Sequence, residues 1–119
     1  MTTSTPISIA TTYFEAGARG DLDTLMSVVS DDVTAESPVG PIEGAAAFRA
    51  FWENFGRMYK QIDLVGAYGD DDTAALFYNG TSDLGTLPSS ERQSIVDGKI
   101  AHVVFIWDMA PFAGAGGPR

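Results

Sequence analysis

The chain contains no cysteine and a single histidine, His102, among its 119 residues. The missing cysteines exclude disulfides, thiolate catalysis and cysteine-based zinc sites. One histidine leaves no pair to hold a metal, and a Ser-His-Asp triad would need His102 to point inward. Basic residues are also scarce. Seven lysines and arginines stand against sixteen aspartates and glutamates, for a formal charge of -9. That balance argues against nucleic acid, whose phosphates need a basic face, and against an anionic membrane surface. It leaves neutral or cationic ligands open. No apolar run approaches the ~20 residues that span a bilayer. The opening MTTSTPISIATTYF has no basic segment followed by a long apolar one, so it is not read as a secretory signal. The Gly-rich AGAGGPR has neither the lysine nor the following helix of a phosphate loop. The expectation is a cytoplasmic protein without metal or organic cofactor.

What is present is an ordinary globular composition, 45% hydrophobic, in a chain long enough for one core. Ile9, Ala10, Tyr13, Phe14 and Gly17 have helical spacing after Pro6, which suits a first helical turn. Asp21 can cap a second helix over DLDTLMSVVS. VTAES reads as a short strand ended by Pro38 and Gly40. Phe48, Phe51, Trp52, Phe55 and Tyr59 then recur at three- and four-residue steps, the strongest amphipathic signal in the chain. Four strand-like segments follow: IDLVGAYG, TAALFYNGTSD, PSSERQSIV and KIAHVVFIWD. Asp70-Asp71-Asp72 breaks the first pair, and Asp97-Gly98 is a strong hairpin signal. Helices first and hairpin-joined strands after them predict an α+β fold, a single domain over residues 1–110 and a flexible tail over 111–119.

At this level of detail the chain resembles a known group. YFEAGARGDLDTLMSVVSDDVTAESPVGPIEGAAAFRAFW is similar to the first half of the nuclear transport factor 2-like superfamily, in its SnoaL-like and ketosteroid isomerase branch. LGTLPSSERQSIVDGKIAHVVFIWD resembles the ending of the same group. The resemblance covers residues 10–108. It implies a cone: a curved antiparallel, partly mixed, sheet wrapped around three N-terminal helices. It also implies a deep apolar pocket and a homodimer. The superfamily hosts isomerases, cyclases and proteins with no catalytic role, so resemblance alone does not choose a reaction.

The resemblance implies a catalytic group as well. In ketosteroid isomerases a helix-one tyrosine and a late-strand acid hold an enolate oxygen, and an aspartate before a Pro-x-Gly turn shuttles the proton. These positions fall on Tyr13, Glu91 and Ser37. The third departs from the pattern, because a hydroxyl cannot replace a carboxylate base without an activating partner. Strand alternation puts Glu91, Gln93 and Ile95 on one face and Arg92 on the other. It likewise puts Glu36 opposite Ser37. Asp31 and Asp32 read as solvated turn residues. Phe51, Trp52, Tyr78, Val103, Phe105 and Trp107 are the expected ligand-binding wall, and His102 falls on the outer face. Ile100, Val104 and Ile106 make the last strand apolar on both faces, as in a strand covered on both. The expected partner is a hydrophobic small molecule, and the expected chemistry is proton transfer in an isomerisation or cyclisation. The rival readings are a non-catalytic ligand-binding protein and a structural homodimer.

Overall fold

The computed structural model describes residues 5–108. Helix α1 spans Pro6–Ala18. Thr5 caps it: its hydroxyl accepts from the Ser8 amide at 3.1 Å, and the Ser8 hydroxyl accepts from the Thr5 amide at 3.0 Å. This reciprocal pair satisfies two backbone donors that a helix start leaves unpaired. Helix α2, Leu22–Ser27, is capped by Asp21, whose carboxylate accepts from the Thr24 amide at 3.1 Å. It is shorter than the sequence predicts, because Val29 and Ser30 already belong to strand β1, Val29–Ser37. Strand β2, Gly40–Glu43, follows, and then helix α3, Ala45–Met58. Four strands complete the chain: β3 Gln61–Gly69, β4 Thr73–Ser82, β5 Gly85–Val96 and β6 Lys99–Trp107.

The strands form one curved sheet in the order β2-β1-β6-β5-β4-β3. All neighbours are antiparallel except β1 and β6, which run parallel. The three helices lie against the inner face, and the core between them is built from Tyr13, Phe48, Trp52, Leu76, Tyr78 and Phe105, among others. This is the expected α+β cone with a mixed sheet.

Further details differ from the sequence reading, among them Asp31 and Asp32, which lie within β1 and not in a turn. The segment after Pro38 is a strand, not merely a turn: β2 pairs Ile42 with Ala35 of β1 and buries Ile42. Ile100 lies inward, not on the outer face. A bulge between Ser94 and Ile95 pairs Ile95 with Ile100 and shifts the alternation of β6, so Ile100 and Val103 are both fully buried. The predicted tail, 111–119, lies outside the described residues.

Two glycines set how closely α3 approaches α1 and the sheet. A Cβ on Gly17 would sit 2.6 Å from Trp52 Cζ3, and one on Gly80 2.6 Å from Tyr59 Cε1. Both aromatic rings therefore pack where only a glycine leaves room.

Candidate functional site

At the centre of the cone is a carboxylate. Glu91 sits on β5 between Leu76 of β4 and Phe105 of β6, and it is 1% exposed. Strand alternation turns Ser89, Glu91 and Gln93 inward together. Three donors converge on the Glu91 carboxyl. The Tyr13 hydroxyl donates to Oε1 at 2.7 Å, the Tyr78 hydroxyl to Oε2 at 2.7 Å, and the Gln93 side-chain amide to Oε1 at 3.3 Å. Tyr13 is itself held by Trp52, whose indole N–H donates to the Tyr13 oxygen at 2.8 Å. The indole meets the Tyr13 ring edge-on, with centroids 5.4 Å apart.

Burial dominates the electrostatics. Loss of hydration pushes the Glu91 carboxyl up from an ordinary 4.5 to about 7, against the opposing pull of the Tyr78, Tyr13 and Gln93 hydrogen bonds. The same burial, with the Glu91 charge beside them, holds Tyr13 and Tyr78 well above the ordinary tyrosine value. Both hydroxyls therefore remain protonated donors throughout the neutral range. Glu91 alone changes charge there. A group that titrates near neutrality can both take and return a proton.

The surroundings are aromatic. The Phe51 ring centroid lies 4.7 Å from that of Phe105 and 6.1 Å from that of Trp107, and Phe14 lies 5.2 Å from Tyr78, all in tilted contact. Trp52, Tyr78, Val103 and Phe105 are buried, while Phe51 and Trp107 are partly buried against them. Three buried polar atoms have no partner among the described residues: Tyr59 Oη, Ser89 Oγ and Gln93 Oε1. Two of them flank Glu91 on β5. Beside Trp52 a groove of about 380 Å³ opens between the ends of α1 and α3 and the start of β3. Trp52 thus lines the groove and donates its indole N–H to Tyr13, which in turn donates to Glu91.

The structure brings Tyr13 and Glu91 together and does not bring Ser37 to them. Ser37 does share the inward parity of Val33 and Ala35. Its hydroxyl, however, donates to the Gly40 carbonyl at 2.8 Å and accepts from the Val39 amide at 3.2 Å. It holds the β1–β2 turn. Glu36 points outward, where its carboxylate meets His102 Nε2 at 3.1 Å, and Thr34 Oγ1 lies 2.7 Å from His102 Nδ1. Asp31 and Asp32 are exposed. Sequence reasoning placed Tyr78 in the wall and missed it as a direct donor to Glu91. It also missed the Trp52 N–H behind Tyr13. The inward parity of Gln93 was legible, but its reach to the carboxyl was not. Among the described residues no three acid or histidine side chains gather as a metal site would require, and no helix is long and apolar enough to cross a membrane.

Comparison with known proteins agrees with this architecture. A family model for the SnoaL-like domain matches residues 10–110. A crystallised protein of Kribbella flavida is 33% identical with a TM-score of 0.90, over 96% of this chain and 95% of that one. A candidate ketosteroid isomerase of the same organism is 24% identical with a TM-score of 0.73, over 88% of this chain and 78% of that one. A candidate polyketide cyclase from Sinorhizobium meliloti is 21% identical with a TM-score of 0.73, over 82% of this chain and 93% of that one. The last two likenesses are likenesses of fold.

Proposed function

This chain belongs to the SnoaL-like family, and on that premise we propose that it is a cytoplasmic small-molecule protein whose Glu91 transfers a proton on a hydrophobic carbonyl compound. The observation that carries the reading is the Glu91 carboxyl: buried, and held by two tyrosine hydroxyls and an amide, with burial pushing its pKa up to about 7. A carboxylate kept in an apolar interior costs stability, and such groups cluster at functional sites.

The chemistry follows from the donor set. Ionised Glu91 takes a proton from the carbon beside a carbonyl, leaving an enolate. The Tyr13 hydroxyl, released from the carboxylate as that becomes neutral and still backed by the Trp52 N–H, donates to the enolate oxygen. Neutral Glu91 then returns its proton to a second carbon, which completes an isomerisation, or to the position left by ring closure, which completes a cyclisation. No redox partner is consumed. The aromatic wall of Phe51, Trp52, Tyr78, Val103, Phe105 and Trp107 excludes water, so the charge on the enolate is stabilised by fixed donors. In this reading Glu91 is the base that Ser37, tied into its turn, is not.

A second reading is a homodimer without turnover. Its support is the outer sheet face, where Phe77, Tyr68 and Ile106 are 46%, 62% and 58% exposed, together with an interior packed by the chain's own aromatics. The experiment that separates the two is proton–deuterium exchange at the α-carbon of a β,γ-unsaturated ketone. The proposal expects exchange catalysed by the wild type and lost in Glu91→Gln. Exchange unchanged in the variant would remove Glu91 as the base, and exchange absent from the folded wild type would leave the readings without turnover.

A further inference from the structure

The groove beside Trp52 runs against the charge of the rest of the molecule. Its lining includes Arg19, Arg57 and Lys60, and its one acidic lining residue is Glu53. Three of the chain's seven lysines and arginines thus meet at one hollow of a protein whose formal charge is -9. The cations are held loosely. Arg19 lies 3.4 Å from Asp21, Arg57 3.7 Å from Glu53, and Lys60 2.7 Å from Asp83, all with more than half of the basic side chain exposed. Ion pairs this exposed contribute little and exchange readily for another anion. The inner wall is apolar: Leu22, the rings of Trp52 and Tyr59, and Ile62. A Cβ built on Gly20 or Gly56 meets nothing within 4 Å, so the groove is open at both glycines.

The groove also has a buried wall. Tyr59 lines this groove, is 8% exposed, and has a buried hydroxyl without a partner among the described residues. A buried unpaired donor costs free energy unless something accepts from it. The groove volume of about 380 Å³ also falls within the ~300–1,000 Å³ typical of small-molecule sites.

We infer that the groove between α1, α3 and β3 receives an organic acid, with its apolar body against Trp52, Tyr59, Leu22 and Ile62 and its anionic head among Arg19, Arg57 and Lys60. The inference rests on the reading that the Glu91 cluster serves a small molecule, because Trp52 is the wall shared by groove and cluster. It adds the charge that this molecule carries. Local cations focus the field within a concave site, and that attraction weakens as salt rises.

The test is an amide-resolved NMR titration with 2-naphthoate and, separately, its neutral amide 2-naphthamide. Naphthoate should shift the signals of Gly17, Gly56, Gln61 and the Trp52 indole N–H, and bind about tenfold tighter than the amide at low salt. The preference should shrink at high salt and vanish in Arg19→Gln/Arg57→Gln/Lys60→Gln, whose exposed positions leave the core intact. Equal binding of acid and amide, a preference that survives the triple variant, or shifts confined to the outer sheet face would overturn the inference. Glu91→Gln should keep the acid preference. Proton exchange that survives Glu91→Gln removes the reading of the cluster and not that of the groove. An acid preference absent from the wild type removes the groove and not the cluster.

Discussion

Glu36 and Glu91 are the same residue type on the same sheet, in opposite environments. Glu36 pairs across β6 with Val104, and Val104 pairs with Arg92, the neighbour of Glu91. One step along a strand thus separates a carboxylate that is 69% exposed beside His102 from one that is 1% exposed among aromatic rings. Water solvates the first. The second has only the protein, and the protein supplies two tyrosine hydroxyls and an amide. The difference teaches that the alternation of strand side chains, more than residue type, decides which acid has chemistry to offer.

The sharpest break in that comparison is catalytic. Glu91→Gln is expected to lower α-proton exchange by ~10²–10⁴-fold, the usual contribution of a positioned base, while Glu36→Gln leaves it unchanged. Steady-state exchange rates of both variants decide this.

The next largest effect is on stability against pH. The folded pKa of Glu91 lies above its ordinary value, so between 4.5 and about 7 the folded chain holds a proton that the unfolded chain has released. The stabilisation is complete below 4.5 and is lost as pH rises through about 7, by roughly 3 kcal/mol at ~1.4 kcal/mol per unit. Glu91→Gln should lack that decline and exceed the wild type in stability above the folded pKa. Denaturant midpoints across pH 4 to 9 would show it. Glu36→Gln should leave the slope in place.

Gly17→Ala forces a methyl to within 2.6 Å of Trp52 Cζ3, and should cost about 1–3 kcal/mol as overpacking. Because Trp52 holds Tyr13, the Trp52 indole N–H resonance should move as well. Tyr78→Phe removes a hydrogen bond that favours ionised Glu91, so it should raise the Glu91 pKa above the wild-type value, read from the carboxyl carbon signal. The smallest effect is that of Glu36→Gln on stability at neutral pH, at most about 1 kcal/mol, because an exposed pair contributes little. A larger loss by thermal unfolding would mean that the outer face is covered.

Much of the fold was legible because its signals are local. Pro6, the Asp21 cap, the aromatic repeat of α3 and Asp97-Gly98 each act within a few residues. Strand β2 was not, because four residues containing Gly40 and Pro41 carry no strand pattern; pairing with β1 makes them a strand. Ile100 was misplaced because a bulge within β6, at its pairing with β5, resets its parity. Tyr13 and Glu91 were found by resemblance and alternation. Their convergence with Tyr78, 13 residues from Glu91 in sequence and 2.7 Å in space, depends on the β4–β5 register.

By itself, then, the chain's sequence determined the α+β class, the inward face of β5 and the exclusion of cysteine chemistry, because composition and periodicity act over short stretches. Only the tertiary structure decided which acid is dry, which hydroxyls it receives and which serine is spent on a turn. Dehydration and hydrogen-bond geometry come from elements far apart in the chain. The local pattern around Glu91 shows an acid facing inward; the walls that make it titrate near neutrality come from α1, α3, β4 and β6.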